Sequence, residues 1–314
     1  MTTQQIYQLA VSLGMKADLR GIAKVKKYLE RTKVKYEKLT KEQKQEFDLE
    51  KLTNPYSDTR ILVDNKKQQI KKILAGIDME GAELLLAEKL GVDLVIAHHP
   101  EGKALADLHS VMDLQAQVLA DYGIPINVAE SLIKPRMSEI NRGFSAVNHN
   151  RAVDLAKILN LDFICTHTVA DNLSANFLLN LLKKKPLETV EEVMTMLKQI
   201  PEYKAAIKIK AGPVIFAGQA ENSCGRIALT EFTGGTAGAK EIYEKLSQAG
   251  IGTLIGMHMN EEYRKEAEKH HLNVIIAGHM ASDSLGMNLF LDQLEKKGIK
   301  VMACSGLLRV KRTN

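Results

Sequence analysis

The residues of this chain with the most chemistry in them stand where short apolar runs end. DLVIA runs into His98-His99, DFICT into His167 and then Asp171, and NVIIAG into His279 with Asp283 four residues later. Imidazole and carboxylate without thiolate suit borderline to hard divalent ions: zinc, iron, manganese, cobalt or nickel. That donor set disfavours a closed structural zinc site and favours one that keeps exchangeable positions. Each element alone is weak, because an HH pair is more often a surface or capping feature. The coincidence at three run ends carries the reading. His279 and Asp283 share a face if a helix begins near Ala281. His98 and His99 would point opposite ways in a regular strand, but at a strand end the backbone leaves the pleat and they can face two different ions.

The apolar runs read as buried strands, and three separate strands would deliver imidazole and carboxylate groups to the edge where a site is expected. From Arg60 onward such runs alternate with amphipathic helical patterns, among them IKKILAGID, EGAELLLAEKLG, DLVIAHH, AVDLAKILNL, GTLIG and ASDSLGMNLFLDQLEKKG. This alternation predicts an α/β fold with crossover units and largely parallel sheets. In open α/β sheets, ligands bind outside the carboxyl ends of the strands, where these residues fall. The stretch from Lys204 to Phe232 reads differently, as an antiparallel hairpin or meander made of KAAIKIKAG, PVIFAG and GRIALTEF. The expected architecture is therefore two interlinked α/β lobes with mixed, largely parallel sheets, behind an N-terminal helical extension. The extension covers residues 1–55, ending at the turn-forming Asn54-Pro55. The body covers 56–314, with interleaved lobes near 56–200 and 201–314. A capping-box pattern at Thr40 and Gln43 marks one helix start in the extension.

A chain of 314 residues with 45% hydrophobic content can build a sizeable core without staples. Its three cysteines, Cys165, Cys224 and Cys304, form no CxxC pair, and they are expected buried and reduced. With no apolar run of membrane-spanning length and no secretory start, a cytoplasmic location is expected. The net charge is +5. All of that excess lies in residues 1–54, which hold 12 Lys and Arg against 7 Asp and Glu. Such a segment could contact nucleic acid or an acidic partner. A solvated helical face carrying Glu30, Glu37, Glu42 and Glu46 among its lysines accounts for the same count.

On these motifs the chain resembles the NIF-three-like family (NGG-one-interacting factor three), whose members are also known as GTP cyclohydrolase type two homologues. IKKILAGIDMEGAELLLAEKLGVDLVIAHHP is similar to the family's opening strand, helix and HHP strand. THTVAD is similar to its HTxxD segment, FTGGTAG to its Gly-rich loop, and IIAGHMASD to its terminal GHxxSE signature. The likeness spans roughly residues 60 to 305. It implies a dinuclear centre of two divalent metal ions held by His98, His99, Asp171, His279 and Asp283, and assembly into a homo-oligomer, commonly a toroidal hexamer. Asp283 stands where the family usually has Glu, one methylene longer. The spacing from HHP to THTVAD exceeds the family's, which requires a helical insertion around residues 130–160. It also leaves Glu130, after the strand-like PINVA, as the competing third ligand.

Around the ligands, Asp78 and His167 are candidates to orient them, while Asp78 is equally placed to cap the helix that follows it. His258, just after GTLIG, is a candidate outer residue. Gly234, Gly235 and Gly238 could cradle an anion on backbone N–H groups, or simply form a tight strand-to-helix turn. The expected activity is hydrolysis of a nucleotide-like or phosphorylated small molecule, with two ions about 3.5–4 Å apart activating a water. The alternatives are a non-catalytic metal-binding scaffold or regulatory interaction protein, and a site disabled by Asp283. No serine or cysteine sits in a nucleophile motif such as GxSxG.

Overall fold

The computed structural model describes residues 1–312. The first segment is helical, as expected, with α1 (Thr3–Ala17), α2 (Ile22–Glu37), α3 (Lys41–Glu46) and a 3-10 turn at Leu49–Leu52. Thr2 and Thr40 open α1 and α3 with capping boxes to Gln5 and Gln43, which satisfy amides that a first turn leaves without partners. α1 is not an appendage. Its buried Ile6 and Ala10 share a core with Ile73, Ile96 and Ile164, and the Ile70 N–H donates to the Met1 carbonyl.

Nine strands follow among the described residues: β1 (Thr59–Val63), β2 (Lys72–Gly76), β3 (Leu94–Ala97), β4 (Asp162–Thr166), β5 (Val214–Ala217), β6 (Arg226–Leu229), β7 (Ile251–Gly256), β8 (Asn273–Ile276) and β9 (Lys300–Ala303). Between them run α4 (Gly81–Leu90), α5 (Gly102–Ala106), α6 (Leu108–Val111), α7 (Asp113–Asp121), α8 (Ile126–Phe144) and α9 (Arg151–Ile158). The later helices are α10 (His167–Leu182), α11 (Val190–Lys198), α12 (Pro201–Lys208), α13 (Ile242–Gln248), α14 (Glu261–Lys269) and α15 (His279–Glu295).

The strands form two mixed, largely parallel sheets, ordered β1-β4-β3-β2-β9 and β5-β8-β7-β6. In each, one edge strand runs antiparallel: β1 against β4, and β5 against β8. Strands LVIA, DFICT and NVII are buried along their whole length, as parallel strands covered on both faces must be. Because β9 returns to the first sheet after the second is complete, the two lobes are interleaved.

The helices α10 and α15 belong to both cores. Val169 and Met287 pack with the first sheet, while Leu178 and Leu285 pack with Ile255 and Ile275 of the second. The two helices approach so closely that a Cβ at Gly286 would lie 2.1 Å from the Ala170 carbonyl oxygen. Only glycine permits that crossing, and it sets Asp171 and Asp283 beside each other.

Three local expectations fail. KAAIKIK forms α12, opened by Pro201 and burying Tyr203 and Ala206, a helical spacing that the alternation of Ile and Lys obscures. There is no meander: β5 and β6 lie on opposite edges of their sheet, and β6 pairs in parallel with β7. PINVA opens α8, not a strand. The helical insertion after residue 130 is present as α8 and α9. Cys165 and Cys224 are buried, whereas Cys304 is only partly so; all three are free.

Candidate metal centre

Three strands deliver the site residues, β3 and β4 of the first sheet and β8 of the second. β3 ends at Ala97 and is followed at once by His98 and His99; β4 ends at Thr166 and His167 opens α10. After β8 the chain turns at Gly278, with φ 105°, where a Cβ would meet the Ala211 carbonyl oxygen at 2.5 Å. His279 is itself the first residue of α15, two positions earlier than expected, so His279 and Asp283 lie one turn apart on the same face.

The five side chains meet in two sets that share one carboxylate. His98 Nε2 lies 3.4 Å from Asp171 Oδ1 and 3.4 Å from Asp283 Oδ1. The other oxygen, Asp283 Oδ2, lies 3.6 Å from His99 Nε2 and 3.5 Å from His279 Nε2. These gaps are too long for hydrogen bonds. They match two donors on one ion, since bonds of about 2.1 Å in tetrahedral array hold neighbouring ligand atoms about 3.4 Å apart.

Burial sharpens the point. His98, Asp171 and Asp283 are at most 4% exposed, yet both nitrogens of His98, both oxygens of Asp283 and Asp171 Oδ1 have no hydrogen-bond partner. A buried polar atom without a partner costs about 1–3 kcal/mol, and more when charged. Four of these atoms, His98 Nε2, Asp171 Oδ1 and both Asp283 oxygens, line the gaps just described and fit bound divalent cations, whereas His98 Nδ1 lies on the far side of its ring.

The electrostatics agree with this assignment. Burial drives His98 down to about 4, against the opposing pull of Asp283, so its imidazole is neutral and offers a lone pair. Burial alone would raise Asp283, but His98, His279 and His99 outweigh it and hold the carboxyl down at about 2. Asp171 is pushed upward by burial and by the charges of Asp283 and Asp58, against the pull of His167. Two carboxylates this close without a cation repel each other.

The neighbouring residues orient the ligands. His99 Nδ1 donates to Asp78 Oδ1 at 2.7 Å, which leaves Nε2 facing Asp283. Asp78 does not cap α4, whose N-cap is Glu80. His167 Nδ1 donates to Asp58 Oδ2 at 2.8 Å, and its Nε2 lies 3.9 Å from Asp171 Oδ2. Burial would lower His167, yet Asp171 and the bonded Asp58 raise it to about 9. A ring nitrogen of His167 lies within 4.8 Å of ligand nitrogens on both His98 and His99.

Of the remaining candidates, Glu130 falls away. Glu130 sits on α8 near Lys134, exposed, and is not among the residues that converge. Gly234, Gly235 and Gly238 are accounted for by packing: a Cβ at each would come within 3.0 Å of Gln115, Val111 or Leu114. Within the loop, the Gly234 and Thr236 carbonyls accept from Gln115 Nε2 and the Ala237 carbonyl accepts from Arg136.

Sequence reasoning missed Asp58 and Glu231. Glu231 follows β6, is nearly buried, and adopts a left-handed φ of 57°. It accepts from Tyr243 and lies 3.8 Å from His258 Nδ1, whose ring centre is 4.8 Å from that of His279. Burial raises Glu231 to about 7.

Neither a family model nor a curated protein matches the sequence. Among solved structures, the chain is similar to a NIF3 superfamily protein from Sphaerobacter thermophilus, with a TM-score of 0.71 and 26% identity, covering 80% of this chain and 92% of that one. It also aligns with reduced HcgD from Methanocaldococcus jannaschii, with a TM-score of 0.49 and 16% identity over 77% of this chain and 87% of that one. A Bacillus cereus protein related to NIF3 gives a TM-score of 0.42 and 10% identity over 82% and 92%. With the interleaved lobes and the motif order already described, the likeness to the Sphaerobacter protein places this chain in the NIF3 superfamily.

Proposed function

We propose that the chain is a divalent-metal-dependent hydrolase acting on a nucleotide-like or phosphorylated small molecule. The observation that carries the metal half of this reading is the pair of three-donor sets built on the two oxygens of Asp283, in which His98 Nε2, Asp171 Oδ1 and both Asp283 oxygens are buried without partners. His98, Asp171 and Asp283 would hold one ion, and His99, His279 and Asp283 the other. Divalent ions bound there supply Lewis acidity and lower the pKa of a water.

The chain's own residues set the rest. Three protein donors per ion leave coordination positions for exchange, as catalytic sites require. His98, Asp171 and Asp283 form the buried floor, whereas the side chains of His99 and His279 are 27% and 38% exposed, so substrate approaches over the latter two. Asp78 keeps the Nδ1 proton of His99 engaged, and the burial of His98 keeps that ring neutral. The substrate class rests on the family resemblance. Assembly into a homohexamer and a cytoplasmic location belong to the same reading; no helix among the described residues is long and apolar enough to cross a membrane.

The test is turnover of a panel of nucleotides and phosphate esters by chelator-stripped protein, before and after adding each of zinc, manganese, iron, cobalt and nickel. The proposal expects hydrolysis to vanish on stripping, return with one or more metals, and stay absent in Asp283→Ala. Stoichiometric metal uptake with no metal-dependent turnover of any substrate would contradict the hydrolase and leave a metal-binding scaffold.

A further inference from the structure

β1 runs antiparallel to β4, with Thr59 paired to Thr166. The amino-terminal end of β1 therefore lies at the carboxyl end of β4, and Asp58 arrives next to His167. Asp58 is fully buried. Its Oδ2 accepts from His167 Nδ1 at 2.8 Å and from Thr168 Oγ1 at 2.6 Å. The other ring nitrogen of His167 is 3.9 Å from Asp171 Oδ2, while Asp171 Oδ1 is 3.4 Å from His98 Nε2. The imidazole of His167 is thus bracketed by two buried carboxylates, one of them a proposed ligand.

The residues ahead of β1 hold Asp58 at that place. Asn54 Nδ2 donates to Tyr7 Oη and to the carbonyls of Tyr56 and Thr59, and its Oδ1 accepts from the Tyr56 N–H. Tyr56 Oη donates to Asp18 at 2.8 Å. Arg60, buried, reaches back to Asp48 and Glu50. The bonds to Tyr7, Asp18, Asp48 and Glu50 tie the segment carrying Asp58 to the N-terminal helical residues, and those within Asn54–Thr59 shape it.

We propose that Asp58 is a positioning residue of the metal centre, acting through His167 on Asp171, and that the N-terminal helical segment serves the site by fixing Asp58. The inference rests on the metal-binding reading given above. A carboxylate behind an imidazole fixes the ring's orientation, and partners of this kind affect metal affinity although they never touch the ion. Without Asp58, His167 loses the bond that fixes its ring, and Asp171 loses a fixed neighbour.

The experiment is a double-mutant cycle on the full chain, with Asp58→Ala, His167→Ala and the double variant. Zinc affinity is read by competition with a chromophoric chelator. Each single variant is expected to weaken zinc binding about 10- to 100-fold, and the double variant no more than the weaker single, because both act on Asp171 by one route. The nitrogen-15 spectrum supplies a second readout: the hydrogen-bonded Nδ1 proton of His167 is expected in the wild type and lost in Asp58→Ala. If Asp58→Ala fails to fold, Asp58→Asn, of the same shape without the charge, replaces it in the cycle. Unchanged affinity in the Asp58 variant, or losses that add in the double, would overturn this inference alone. A wild-type chain that takes up no zinc would overturn the metal centre and this inference with it.

Discussion

Asp283 gives one oxygen to each donor set, while Asp171 serves only the set with His98. The two aspartates therefore differ in what their loss removes. Asp283→Asn is expected to lower the bound metal toward zero, and Asp171→Asn to about half, both read by elemental analysis of folded protein; equal losses would contradict the shared-carboxylate arrangement. The methylene by which Asp283 is shorter than the family's Glu is no obstacle, since both its oxygens already face their partners. Glu231 yields a pH prediction. Its carboxyl rises from an ordinary 4.5 to about 7, mainly through burial. Between those values the folded chain keeps a proton that the unfolded chain has released, so stability falls as pH rises from about 4.5 to 7 and is level above. Glu231→Gln is expected to remove up to about 3 kcal/mol of that fall. Urea unfolding at pH 5 and pH 8 checks it, and an unchanged difference between the two pH values would contradict it.

Among single residues, His98, His99, Asp171, His279 and Asp283 were legible because each follows the carboxyl end of a buried strand, β3 or β4 of the first sheet or β8 of the second. That logic misses Asp58, which stands at the amino end of the one antiparallel strand in its sheet and reaches the same edge from the opposite direction. Glu231 obeys the rule, following β6, but was hidden by reading its strand as part of a meander. No local pattern distinguishes a strand that pairs with the preceding strand, β5, from one that pairs with the following strand, β7, twenty-five residues on.

The elements most responsible for the site are α10 and α15, and glycine controls their distance. Gly286→Ala would drive a methyl group into the Ala170 carbonyl at 2.1 Å. Overpacking of this kind costs about 1–3 kcal/mol, outweighing the helix preference of about 1 kcal/mol that favours alanine over glycine. The variant is expected to melt earlier and to bind metal more weakly, because Asp171 and Asp283 move apart; a melt unchanged or raised would contradict the tight crossing. The alternation of strands and helices was readable from Arg60 onward because buried parallel strands are almost purely apolar. Segment 204–210 was misread for the converse reason. Its alternating isoleucines, Ile207 and Ile209, are 38% and 66% exposed, so their period of two reports no buried face.

Over the whole molecule, the N-terminal helices are core as well as surface. Ile6 is fully buried against the first sheet, and Ile6→Ala is expected to cost about 2–5 kcal/mol, read as a lower urea midpoint; a loss below 1 kcal/mol would mean that α1 is dispensable to the lobe. From sequence, the helical pattern ending at the Asn54-Pro55 turn marked this segment as an extension. Its integration depends on tertiary bonds such as Asn54 to Tyr7 and Tyr56 to Asp18, which leave no periodic trace. The lobes, their interleaving and the strand ends that meet between them support the central proposal, a pair of cations seated on Asp283. Metal content per subunit, by elemental mass spectrometry on untagged protein purified without chelators, should be about two ions in the wild type and far less in Asp283→Ala and His98→Ala. Near-zero metal in a folded wild-type chain, not restored by adding zinc, manganese or iron, would contradict it.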